Sequence, residues 1–115
     1  MKKIEIIEDK REIYEIINEK IKGKRLVFTD WYKEGILKRG IEQDEVMKVF
    51  YQFEKVNRVE KEKLSKGDIG FELFYKVGDY TTFSIATIPK NEKLLIVHAI
   101  KYKRNLDYRF KKFKL

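Results

Sequence analysis

The sequence predicts a single α+β domain, with N-terminal helices packed on one face of a twisted antiparallel sheet of about four strands. Three observations predict it. The chain has 115 residues, enough for one hydrophobic core and too few for two. Apolar residues recur at helical spacing in the first half and alternate in the second. No internal repeat or low-complexity linker divides the chain, so 1–53 reads as mainly helical, 54–101 as the sheet and 102–115 as a basic C-terminal tail of the same domain.

The elements follow in order. Residues 2–7 (KKIEII) alternate weakly, as a short strand does. From Asp9, a suitable N-cap, Ile13, Ile16, Ile17 and Ile21 fall at helical spacing, and Gly23 is a suitable stop. Leu26, Val27 and Phe28 form a brief apolar run, compatible with extended backbone. Thr29 or Asp30 can cap a second helix to about Arg39, with Gly40 free to take the left-handed conformation after it. A third helix, Glu42 to about Phe53, places Val46, Val49, Phe50 and Phe53 on one side. Residues 54–62 (EKVNRVEKE) are charged and poorly patterned, which predicts an edge strand, and KLSKGDIG is a loop. Phe71, Leu73, Tyr75 and Val77 alternate with Glu72, Phe74 and Lys76, the pattern of a half-buried strand. Gly78-Asp79 makes a tight turn and Tyr80–Ile88 returns from it. Pro89 and Asn91 mark the next turn, and Leu94–Ile100, apolar on both faces, is a central strand.

Composition removes several classes of function. With 43% hydrophobic and 14% aromatic residues the chain is not wholly disordered. The absence of cysteine excludes a disulfide scaffold, a thiol nucleophile and a Cys-ligated metal, a single histidine argues against a transition-metal site, and the acids are dispersed rather than clustered, so no metal is expected. No glycine-rich phosphate loop or G-x-S-x-G motif is present, and no cofactor is implied. No apolar run nears the roughly 20 residues of a membrane span, and the N-terminus lacks a signal-peptide core, so a soluble cytoplasmic protein without a membrane partner is expected. Abundant Lys, Glu and Ile resemble hyperthermophile composition, although an AT-rich genome gives a similar bias.

The formal charge of +8 favours an acidic partner, and it is unevenly placed. Residues 101–115 hold seven cations and one acid, a net +6, leaving +2 for the first hundred residues. Lys101, Tyr102, Lys103, Arg104, Arg109, Lys111 and Lys112 are therefore the expected nucleic-acid contacts. Cations neutralise phosphates, and interleaved aromatics (Tyr102, Tyr108, Phe110, Phe113) stack on unpaired bases or else pack back on the sheet. The one histidine, His98, reads either as a buried or half-buried residue hydrogen-bonded within the sheet or as a general base at its surface. Trp31 and Tyr32 are expected in the core rather than on a stacking platform.

Residues 71–108 resemble the C-terminal half of the RelE/ParE group of small toxins. Those members read as a strand with R-V-G-D-Y-R-V, a turn, then an apolar strand ending in a basic pair and a tyrosine. Here the pieces are FYKVGDYTTFSI, PKNEK and LLIVHAIKYKRNLDY. Thr29–Val46 is similar to an uncharacterised domain thought to be related to those toxins, T-x-H-A-x-x-R-x-x-x-R-G-I-x-x-x-E-V. The chain keeps Thr29, Arg39, Gly40, Ile41, Glu45 and Val46, with Trp31-Tyr32 in place of His-Ala and Gly35 in place of the first Arg.

The resemblance implies a RelE-like fold and, for the ribonuclease members, phosphodiester cleavage by Arg, Lys and Tyr. Arg104 matches the arginine ending the last strand, Tyr108 resembles the tyrosine that follows, and Lys76 is the nearby cation that could substitute for a lysine pair replaced here by Glu72 and Phe74. Thr81 stands where another arginine would be. The expectation is a non-catalytic relative that binds nucleic acid, RNA included, or an acidic antitoxin-like protein through its basic C-terminal surface. The alternatives are a RelE-like endoribonuclease toxin using Arg104, Lys76 and Tyr108, and an unrelated enzyme or structural domain. Phe110 and Phe113 leave homodimerisation open.

Overall fold

In the computed structural model, which describes residues 3–103, the chain runs β1 (Ile4–Ile7), α1 (Lys10–Ile16), β2 (Arg25–Phe28), α2 (Asp30–Arg39), α3 (Gln43–Phe50), β3 (Val56–Lys63), β4 (Ile69–Gly78), β5 (Thr81–Lys90) and β6 (Lys93–Tyr102). The strands form one open sheet in the order β1-β3-β4-β5-β6-β2. Every neighbouring pair is antiparallel except β2 and β6, which are parallel. The fold is α+β, but the sheet is mixed and six-stranded where the sequence predicts about four antiparallel strands. The two additional strands are the four-residue edges: β1 falls within the weakly alternating residues 2–7, and β2 on the brief apolar run of Leu26, Val27 and Phe28, whose parallel pairing with β6 no local pattern declares.

Local chemistry sets the helix ends. The Asp9 carboxylate accepts the Glu12 N–H at 3.0 Å and so starts α1. Thr29 does the same for α2, accepting the Tyr32 N–H at 3.1 Å, and Gly40 closes that helix at φ 66°. α1 continues into a π-helical turn, Ile17–Ile21. α3 stops at Phe50, three residues before the predicted end, and Phe53–Lys55 forms a separate 3-10 turn.

One face of the sheet and the inner sides of the helices share a core. Val59, Leu73, Ile85 and Ala99 lie abreast on four adjacent strands and are all buried. Ile13, Ile17 and Ile21 after β1, Tyr32 of α2, and Val46, Val49 and Phe50 of α3 complete the same cluster. The Tyr75 hydroxyl donates to the Phe50 carbonyl at 2.8 Å, tying β4 to the end of α3.

Three expectations for the sheet need correction. β3 is not an edge strand, since it lies between β1 and β4. Its charges misled because they neutralise one another: buried Arg58 donates through Nε to Glu60 Oε2 at 2.9 Å, and its Nη1 is 3.4 Å from Glu8 Oε2. The β4–β5 turn is Asp79–Tyr80, one residue later than predicted. Pro89 belongs to β5, opposite Leu94, and the turn beyond it is Asn91-Glu92, with Asn91 at φ 53°. Among the described residues no helix is long and apolar enough to cross a membrane.

Candidate nucleic-acid interface

Of the predicted contacts, Arg104, Tyr108, Arg109, Lys111 and Lys112 lie outside the described residues. Lys101 is not a free cation. It sits on the core side of β6, with Nζ 2.7 Å from Glu45 Oε2 and 5.6 Å from the centre of the Phe83 ring. The sequence hid this pair because 56 residues separate its members. Lys103 is exposed just beyond β6. Lys76 is exposed on β4 opposite Thr82, which is itself opposite Tyr102. Lys76 and Tyr102 thus share the other face of the sheet, two strand spacings or roughly 10 Å apart, while Lys101 points away from both.

The structure assembles a different group, along the seam between α2 and β6. Thr29 places it: besides capping α2, its hydroxyl donates to the Ile96 carbonyl at 3.0 Å and its N–H donates to the same oxygen at 3.2 Å. Neighbouring aromatic residues of α2 then differ in burial, being about 100° apart around the helix. Tyr32 enters the core, where its hydroxyl meets Gln43 Oε1 at 2.5 Å and burial pushes its pKa up to about 12. Trp31 is 77% exposed, contrary to its expected place in the core, because the helix turns it away from the side that buries Tyr32.

Trp31 walls a groove of about 390 Å³ shared with Glu34, Gly35, Lys38, Arg39, Val97 and His98. Spacings of four and seven residues from Trp31 to Gly35 and Lys38 place them on one helix face. Gly35 is functional in shape: a Cβ there would lie 2.5 Å from Nη1 of Arg39, so the glycine lets that guanidinium fold back along the helix. A further groove of about 450 Å³ continues from Arg39 and Gly40 to Lys101 and Lys103. The exposed cations Lys38, Arg39 and Lys103 therefore share one seam with an exposed tryptophan.

His98 reaches the seam through a β-bulge. Ala86 pairs with His98 and Thr87 with Ile96, so Val97 is the extra residue of β6. Burial pushes the imidazole pKa down, the Glu72 carboxylate works against that, and the Arg39 guanidinium adds to it. The net effect favours the neutral ring. His98 also borders a groove of about 250 Å³ that contains Glu60, Glu62 and Glu72. Among the described residues no group of three or more His, Asp or Glu could hold a metal ion. The histidine thus divides a cationic, aromatic groove from an anionic one.

Sequence reasoning missed Trp31 and His98 as neighbours. The signals present were the glycine inside α2 and the one histidine in an otherwise apolar strand. Neither names its partner without the pairing of β6. Compared with protein-family models, with curated proteins and with solved structures, the chain matches none.

Proposed function

We propose that this chain binds single-stranded nucleic acid, RNA in the first instance, along the α2–β6 seam, with the basic C-terminal segment extending the contact. The observation that carries the reading is Trp31, exposed in one groove with Lys38 and Arg39. An exposed indole offers a base a stacking face, and adjacent cations neutralise the phosphates on either side. The anionic groove beyond His98 repels the same polymer and so limits the path to one side. The charge of residues 101–115 and the likeness of 71–108 to RelE/ParE toxins support an RNA partner, and a RelE-like arrangement of the fold is part of this proposal. Binding without cleavage is the form proposed, because Thr81, Glu72 and Phe74 stand where that likeness calls for cations.

The single tryptophan makes the test direct. Titrating an unlabelled pyrimidine RNA decamer into the full chain should quench Trp31 fluorescence. The affinity should fall with salt at a log–log slope of roughly −0.7 per neutralised phosphate, and the RNA should be recovered intact. No quenching at low salt overturns the reading. RNA fragments would select the endoribonuclease alternative with Lys76, Arg104 and Tyr108, and tighter quenching by a polyglutamate peptide would select an acidic protein partner.

A further inference from the structure

Another groove, of about 400 Å³, runs between α1 and the segment joining α3 to β3, and shares no residue with the α2–β6 seam. Its floor is Ile13, Ile17 and Val56, all buried, and its walls are Tyr14, Tyr51 and Phe53. Two backbone features create it. α3 stops at Phe50, so Tyr51 and Phe53 leave the helix with ring centres 6.2 Å apart and planes at 76°. α1 ends in its π turn, closed by the Lys22 N–H donating to the Ile17 carbonyl at 2.8 Å. That wider turn takes in one more residue than an α turn. Lys22 comes to stand with its ammonium 5.9 Å from the Tyr14 ring centre and 5.5 Å from that of Phe53.

Core packing does not account for this arrangement, because Tyr14 is 64% and Tyr51 59% exposed. The groove is large enough for a small planar ligand. Charge decides which kind. Lys10 and Lys22 stand at the rim against one carboxylate, Glu54. An entering cation would displace Lys22 from the rings and sit beside Lys10. An anion meets both ammonium groups. An aliphatic anion would leave the tyrosine faces in water, whereas a planar base can stack on them.

We propose that this groove is a nucleotide-binding site, with the base against Tyr14 and Tyr51 and the phosphate between Lys10 and Lys22. The same chemistry is offered by a free nucleoside monophosphate and by the phosphorylated end of a strand. The proposal stands apart from the α2–β6 reading and does not need it.

The test follows amide chemical shifts of the full chain during titration with AMP, a 5′-phosphorylated tetra-adenylate and tetramethylammonium. AMP at millimolar concentration should move amides of residues 10–22 and 51–56 saturably. Tyr51→Ala and Lys22→Met should each weaken it roughly fivefold or more. Both side chains are exposed, so the remaining spectrum should show an intact fold. Trp31→Ala should leave AMP affinity unchanged, which separates this site from the seam. Tighter binding of the tetranucleotide at the same amides identifies a strand end as the source, and preference for AMP identifies the free nucleotide. The proposal is overturned by absence of shifts with AMP, by shifts confined to the α2–β6 seam, or by tetramethylammonium moving the groove where AMP does not.

Discussion

The two faces of the sheet use the same strands to opposite ends. On one, Val59, Leu73, Ile85 and Ala99 lie abreast and bury only hydrocarbon. On the other, the row beside it is Arg58, Phe74, Ser84 and Ile100, and the next is Glu60, Glu72, Ala86 and His98. A slip of one residue would exchange the faces, so each row pins the register of the other. The apolar face is held by area and shape, and its losses are graded with the volume removed. The polar face is held by specific partners, and losing one leaves a charge stranded in a medium that solvates it poorly.

Removing one group from each face sharpens that contrast. Leu73→Ala should destabilise by about 2–5 kcal/mol through the lost contacts and the cavity. Arg58→Ala should cost about 3–5 kcal/mol because Glu60 is left buried without its cation. The distinguishing measurement is urea unfolding of Arg58→Met with Glu60→Leu. Replacing both charges should recover much of the loss, whereas no second substitution added to Leu73→Ala should do so as simply. A double variant no more stable than Arg58→Ala would show that the polar face is held by more than this pair.

The difference between the faces also explains what was legible in the sequence. Features written within a few residues were readable: the Asp9 cap, the α2 cap to within Thr29 or Asp30, Gly40 after α2, and the alternation of β4. The apolar face follows from such patterns, because any aligned hydrocarbon supports any other. The polar face does not, because its chemistry lies in particular pairs. Arg58 and Glu60 look like a solvated edge until β1 is laid beside them. Lys101 looks free until Glu45 arrives from α3. Trp31 looks like core until α2 is hung on Ile96, 67 residues away from its cap. The candidate site is made of such pairs, and the sequence shows its ingredients without their positions.

Thr29 holds the start of α2, which buries Tyr32 and leaves Trp31 exposed. Thr29→Ala removes the cap of α2 and the side-chain bond to Ile96, and should cost about 1–2 kcal/mol in thermal or urea unfolding. Thr29→Ser keeps both bonds and should restore most of it. If alanine and serine behave alike, α2 is held by its core contacts alone.

Protonation probes the polar face without removing atoms. Burial lowers the His98 pKa in the folded chain, so the unfolded chain, with an ordinary histidine near 6.5, takes up the proton first. Stability should therefore be fully present above about pH 7 and should decline as pH falls through about 6.5 toward the lower folded value. Comparing urea midpoints at pH 7.5 and 5.5 stays above the main carboxylate range. The decline should be reduced in His98→Asn. An equal decline in both proteins would assign it to other groups.

The smallest effect expected on stability is at Gly35, and there stability and binding should separate. Alanine is favoured over glycine inside a helix by about 0.5–1 kcal/mol, so Gly35→Ala should leave the thermal midpoint unchanged or slightly higher. The new methyl must push the Arg39 guanidinium out of the groove beside Trp31, since the two would otherwise be 2.5 Å apart. Arg39 is exposed and flexible enough to move at little cost to the fold. Quenching of Trp31 by RNA should weaken even so. Unchanged RNA affinity in a stabilised Gly35→Ala protein would show that the folded-back arginine takes no part in the interface.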